Sequence, residues 1–261
     1  MSAPPLTTEL ALRIERLIGH AALSQSEQSE DDSKVSRFGN TVAVKARGGR
    51  PRNKVFCFGH EDLHHLPAIL AFYATDHLEP GFYLTPMGFT KEVAAALTAA
   101  GFLQHNFEQA ILYGLPAPVS IESPASVTVE RVTPKNLEAF VTATADGFEW
   151  PAAWRDAAMD DVRNTFSAKN YRFLVRFEGH AAGVGSLHVN ETGVASLSAG
   201  AVVPEFRRKG RHLALVHHRL YFAHEIGCNF VLGSASFNSA SFRNQQRGGL
   251  RLAYVESEWR R

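Results

Sequence analysis

Val202-Val203-Pro204-Glu205-Phe206-Arg207-Arg208-Lys209-Gly210-Arg211-His212 joins a segment of strand character to one of helical periodicity, and its reading decides the fold. A helix that starts after such a loop leaves its first backbone N–H groups unpaired, so they can face an anion. Gly210 lets the backbone approach a ligand closely, and the basic side chains of Arg207, Arg208, Lys209 and Arg211 add a positive field. This cluster suits a pyrophosphate and a ribose phosphate better than a single carboxylate. The bland alternative is a solvated basic turn that only begins a helix, because short basic glycine turns are common.

Downstream, apolar residues at Val216, Leu220, Ala223 and Ile226 keep a helical spacing until Gly227, a natural left-handed stop. A short buried strand at 230–232, a short helix at 239–247 closed by Gly248-Gly249 and a last strand at 250–255 follow. Upstream, β-branched and aromatic residues alternate with arginine over 171–177, and turns at 178–180 and 190–193 lead into strands at 181–189 and 194–203. These three strands predict an antiparallel meander. Before them lie a short alternating segment at 127–131, a helix that starts at Thr133-Pro134 and runs to Gly147, and a second helix over 152–166. The predicted order is β, α, α, β, β, β, α, β, α, β.

Pro116, Pro118 and Pro124 sit among small residues between Gly114 and Ser126, which favours an extended connection. The expected organisation is therefore a domain over 1–114, a linker over 115–126 and a domain over 127–261. The first domain reads as a weaker copy of the second half of the other: strand 54–58, helix 66–75, strand 81–84, helix 90–100, strand 108–112. Gly101-Phe102 sits where Gly249-Leu250 sits, although residue identity is slight. The polar, acidic stretch 24–34 reads as a surface loop or a disordered stretch.

With 261 residues, 45% hydrophobic and 20% charged, the chain can bury a core in one large domain or two of ordinary size. No apolar run is long enough to span a membrane, and Met1-Ser2-Ala3-Pro4-Pro5 lacks a basic segment followed by an apolar one, so a cytoplasmic protein is expected. Cys57 and Cys228 are too few for a disulfide framework. A net charge of +1 gives no general attraction to nucleic acid or membrane, so any anion site must be local.

The stretch around Gly210 resembles motif A of the GNAT acetyltransferases, in which Gln or Arg is followed by two residues, Gly, one residue, then Gly or Ala. Arg207 and Gly210 match, and His212 departs at the last position. Asn238, followed by a short helix and Gly249-Leu250, is similar to motif B. The resemblance covers about 127–261. It implies an α/β fold with a central mixed, mostly antiparallel sheet flanked by helices, in tandem with a degenerate N-terminal copy. It also implies that the strand before the loop splays from its neighbour. The edge at Ala201, Val202 and Val203 would then hold a pantetheine arm, the backbone of Arg208, Lys209, Gly210, Arg211 and His212 a pyrophosphate, and Asn238 the pantetheine or adenosine side.

The activity implied is transfer of an acyl group, acetyl from acetyl-CoA or another acyl-CoA, to a primary amine of a small molecule or peptide. A homodimer is compatible with it. A non-catalytic acyl-CoA-binding or regulatory protein of the same fold is the alternative. Acyl transfer needs an oxyanion donor, a path for the amine proton and an acid for the leaving thiolate. Where similar enzymes place a tyrosine acid, this chain has Gln245, leaving Tyr254 as substitute and His188 and Glu191 as base candidates. Phe148, Trp150 and Trp154 lie in a segment that borders the acceptor cleft in similar enzymes.

Two competing motifs carry less. His60-Glu61-Asp62-Leu63-His64 matches HExxH, but Gly59 and Pro67 place it in a turn rather than on a helix, so no metal is expected. Arg47-Gly48-Gly49-Arg50-Pro51-Arg52 resembles a minor-groove Gly-Arg-Pro core, yet it reads better as a hairpin turn, and nucleic acid is not an expected partner.

Overall fold

Helix α1, Thr8–Glu27, packs Ala11 and Ile14 inward, so the first part of the acidic stretch expected to be a loop is helical. Gly39, at φ 65°, turns β1 (Lys34–Phe38) into β2 (Thr41–Lys45). β3 (Lys54–Phe56) leads through a 3-10 turn, His60–His65, into α2 (Leu66–Ala74), which carries Pro67 in its first turn, where the missing N–H is harmless. β4 (Gly81–Leu84) is followed by α3 (Lys91–Ala99), whose cap Thr90 accepts a hydrogen bond from the Val93 N–H at 3.3 Å. β5 (Leu103–Asn106) and β6 (Gln109–Gly114) end this half. The computed structural model describes residues 3–27, 34–45, 53–107, 109–118, 126–164, 166 and 170–261, with backbone alone at 20–27 and 154. The expected turn at 47–52 lies outside the described residues.

The C-terminal half follows the predicted order: β7 (Val127–Arg131), α4 (Leu137–Gly147), α5 (Ala152–Asn164), β8 (Tyr171–Phe177), β9 (His180–Val189), β10 (Val194–Val202), α6 (Arg211–Glu225), β11 (Phe230–Ser236), α7 (Ala240–Arg247) and β12 (Arg251–Val255). β7 through β10 are antiparallel neighbours, and β10 pairs parallel with β11. The sheet order is β12-β6-β11-β10-β9-β8-β7. Phe140 and Ala143 of α4 pack on Leu174, Val184 and Ala201, burying one face of this sheet.

A further strand, β13 (Ser257–Arg260), was not legible in the sequence. It lies between β4 and β5, antiparallel to both, in a second sheet ordered β1-β2-β3-β4-β13-β5. Trp259 drops into the core with Phe82 and Phe102, and the Glu258 carboxylate accepts from Tyr83 Oη at 2.9 Å and Asn106 Nδ2 at 2.8 Å. The chain thus forms two units, one of Pro5–Ile111, Ala235–Phe237 and Leu252–Arg261, the other chiefly of Leu112–Ser234 and Asn238–Arg251. Among the described residues no helix is long and apolar enough to cross a membrane.

Candidate functional site

The site begins where two strands part. β10 and β11 pair from Val194↔Phe230 to Leu197↔Gly233 and then separate, although β10 continues to Val202 and β11 to Ser236. At the same place the β9–β10 register shifts between Ser198 and Ala201, with Ala199 at φ 46°. Such a bulge bends one strand away from its neighbour. The backbone of Gly200 to Val202 therefore borders an open fork.

From the fork the chain passes through a 3-10 turn, Pro204–Phe206, and reaches α6 by way of Arg208 at φ 66° and Gly210 at φ 77°. Gly210 is the N-cap of α6 and has no side chain to satisfy the first N–H groups, and a Cβ there would meet nothing within 4 Å. The helix end is left open to a ligand. The side chains of the basic run do not act together as the sequence suggested. Arg207 donates to the carbonyls of Val202 (3.0 Å) and Gly147 (3.1 Å) and pairs with Glu149 at 2.7 Å, which pins the loop to the end of α4. Arg211 turns inward, 2% exposed, with its guanidinium 3.6 Å from the Phe177 ring centroid. Arg208 and Lys209 are exposed, and among the described residues neither makes such a bond.

A cavity of about 620 Å³ occupies the fork, within the range of ligand pockets. Its walls are Gly200, Ala201 and Val202 of β10, the loop and first turn of α6, the end of α4 and the face of α7. Arg207, Arg208, Arg211, Arg243 and Arg247 line it, and no carboxylate does. Arg243 and Arg247 were missed in the sequence, though four-residue spacing on a helix puts them on one face and is the signal that could have found them. Arg243 Nη1 donates to the Asn238 carbonyl (2.5 Å) and Oδ1 (3.0 Å), and Arg247 Nη1 donates to Asn244 Oδ1 at 3.2 Å. Asn238, at φ 56°, thus braces an arginine of the wall and is not itself a lining residue. Val203 turns into the core under α4, and Lys209 does not line the cavity.

His212 lines the cavity, but its imidazole points inward against Gly200, and neither ring nitrogen has a partner among the described residues. Burial, helped by the nearby Arg219 charge, lowers its pKa to about 4 against the pull of the Gly200 backbone, so the ring is neutral at pH 7. Gly200, which has no Cβ, leaves the room that the His212 ring takes.

The residues expected to carry proton transfer are dispersed. His188 on β9 faces Ser196 in the register, buried, with Nε2 unpartnered among the described residues and its pKa lowered by desolvation against the pull of Glu191. Glu191 follows in the β9–β10 turn, and neither residue lines the cavity. Tyr254 belongs to the other unit, where burial raises the pKa of its unpartnered hydroxyl. Gln245 is buried; its Nε2 donates to the Ser234 carbonyl (3.1 Å) and Ser241 Oγ (3.3 Å), and Oε1 fills the space over Gly233. It brackets α7 to β11. Phe148 lines the cavity and stacks on Trp150 at 6.3 Å, whereas Trp150 is not a lining residue; Trp154 lies on α5 with its side chain outside the described residues. The HExxH segment is the 3-10 turn His60–His65, in which Asp62 accepts from Thr41 Oγ1 at 2.7 Å, and among the described residues no metal-ligating group of three or more forms.

Residues 141–247 match the model of the acetyltransferase (GNAT) family. No curated protein sequence matches the chain significantly. Among solved structures, a GCN5-related N-acetyltransferase from Kribbella flavida is 16% identical with a TM-score of 0.71, over 94% of this chain and 95% of that one. A GCN5-related N-acetyltransferase from Sphaerobacter thermophilus is 14% identical (TM-score 0.58, coverage 100% and 94%). A tandem GNAT protein from the clavulanic acid biosynthesis pathway, solved without acetyl-CoA, is 13% identical (TM-score 0.60, coverage 95% and 92%). Fork, loop and comparisons agree on the fold: the chain has the GNAT fold, and residues 141–247 match the acetyltransferase (GNAT) family model.

Proposed function

We propose that the β10–α6 fork binds acetyl-CoA, or another acyl-CoA, and that the protein transfers the acyl group to a primary amine of a small molecule or peptide. The observation that carries this reading is the cavity whose charged lining is five arginines, set against a helix N-terminus opened by Gly210. An anionic, elongated ligand fits that donor set. The N–H groups at the start of α6 would hold the pyrophosphate, with Arg208, Arg243 and Arg247 supplying charge to the phosphates. The β10 edge at Ala201 and Val202, past the last pair with β11, would hold the pantetheine arm as a further strand would be held.

Acetyl-CoA supplies an activated acyl group when bound. The chain orients it and leaves room for an amine on the side of Phe148 and Trp150, with Trp154 on the neighbouring helix. His188 and Glu191 are the base candidates, while Tyr254, which belongs to the other unit, is given no role at this site. A second reading, an acyl-CoA-binding protein without turnover, is favoured by Gln245, a side chain with no proton to give, held by its Nε2 bonds where the family resemblance expects an acid. Calorimetry with acetyl-CoA tests binding, and release of free thiol with a panel of amines separates the two readings. Absence of heat with wild type would sink the binding claim, and heat without turnover would favour the second reading.

A further inference from the structure

Arg219 on α6 is enclosed, at 2% exposure, beneath the point where β10 leaves β11. Its Nε donates to the Leu215 carbonyl (3.3 Å) and Nη1 to the carbonyls of Ser186 (3.0 Å) and Ser198 (3.1 Å). Ser186 and Ser198 are the last β9–β10 pair before the register shift, and Ser198 is the first β10 residue past the last β10–β11 pair. Nη2 faces Gly200 of the cavity wall: a Cβ on Gly200 would lie 3.3 Å from it and 3.3 Å from His212 Nε2.

Among the described residues no carboxylate pairs with this guanidinium, and its only neighbours of opposite polarity are carbonyl dipoles. A buried cation without a counter-ion is costly to a fold, so its retention calls for a reason. Desolvation lowers its pKa only to about 10, so it stays charged at neutral pH, and the neutral His212 ring beside it adds no second charge.

We infer that Arg219 stabilises the negative charge that develops on the sulfur of coenzyme A, acting across Gly200 from beneath the fork. This rests on the acyl-CoA reading above, with the arm running along Val202 and Ala201 toward Gly200. When an amine takes an acyl group from a thioester, a C–N bond forms at the carbonyl carbon, the C–S bond breaks with its electron pair on sulfur, and the amine proton passes to water. A fixed cation in a low-dielectric site lowers the energy of the sulfur anion without delivering a proton. Gln245 has no proton to give, and a thiolate held by charge needs none. Arg219 is a positioning residue, since it acts through the field at Gly200 and the shape of the bulge.

The test compares the affinities of coenzyme A and its desulfo analogue, which lacks the thiol, by calorimetry between pH 6 and 9. The thiol of coenzyme A lacks cysteine's neighbouring peptide groups and titrates roughly one unit above cysteine's value of about 8.5, so a site that favours the anion by one pK unit makes the coenzyme A to desulfo affinity ratio rise about threefold across this range. The wild-type protein shows that rise. Arg219→Gln, which keeps donors for the carbonyls but no charge, binds the desulfo analogue normally and shows a flat ratio; Arg219→Lys keeps the rise. A flat ratio in wild type, a full rise in Arg219→Gln, or loss of the rise in Arg219→Lys overturns the inference. Failure of wild type to bind either compound overturns the acyl-CoA reading and this inference with it, whereas binding of both with a flat ratio overturns this inference alone.

Discussion

Each unit contains a parallel strand pair whose first strand runs through a 3-10 turn into a helix: β10 into α6 in one, β3 into α2 in the other. The connections share topology and differ in charge. After β10 the chain carries Arg207 to Arg211 around an open Gly210, over the buried cation of Arg219. After β3 it carries Glu61 and Asp62. Behind that turn Cys57 Sγ donates to the Glu15 carbonyl, and the buried carboxyls of Glu15 and Glu256 lie near Lys54 and Tyr254. The strand–turn–helix frame alone therefore does not make an anion site. The anion site proposed here also needs an open glycine cap and positive side chains, and among the described residues these come together after β10 and not after β3.

The largest expected effect concerns the acidic interior. Burial, with a smaller contribution from Glu15 and against the pull of Lys54, raises Glu256 to about 8 from 4.5. Between those values the folded state holds a proton that the unfolded chain has released. Stability of this unit therefore falls as pH rises through that window, by up to about 1.4 kcal/mol per pH unit, and levels off above it. Denaturation as a function of pH shows the fall in wild type and its loss in Glu256→Gln; a fall that persists in the variant would place the titration elsewhere.

Next in size, Trp259→Ala removes the buried anchor of β13. It should cost about 4 kcal/mol in chemical denaturation of the unit that contains β4 and β5, with acetyl-CoA affinity little changed; an equal loss of binding would mean that the two units do not behave separately. Gly210→Glu forces a side chain into φ 77° and sets a carboxylate at the start of α6. Acetyl-CoA binding should weaken roughly a hundredfold by calorimetry, and unchanged affinity would remove the loop from the site.

Arg247→Ala deletes one charged donor from the cavity wall. Affinity for coenzyme A should fall roughly tenfold while that for dephospho-coenzyme A barely moves, a split that sharpens which phosphate α7 meets. The smallest effect is expected from Glu61→Gln in the other connection, where the carboxylate accepts an exposed bond from Asn40 Nδ2 at 3.2 Å. Acetyl-CoA affinity and melting temperature should stay as in wild type, and a gain in binding would reveal a latent anion site after β3.

Periodicity and turn residues determined much of this protein. The order of elements from β7 to β12 and the stop of α6 at Gly227 follow from spacing and backbone preference, which act over a few residues and can be read in one dimension. The resemblance of the loop to motif A rests on the same local signals. Only the tertiary structure decided that Arg211 turns onto Phe177 and Arg207 onto Glu149, while Arg243 and Arg247 complete the cavity. It also decided that Ser257–Arg260 pairs with strands more than 150 positions earlier and that a charged Arg219 lies under the fork. Those outcomes depend on which distant backbone and side-chain groups meet, and no local pattern encodes that pairing.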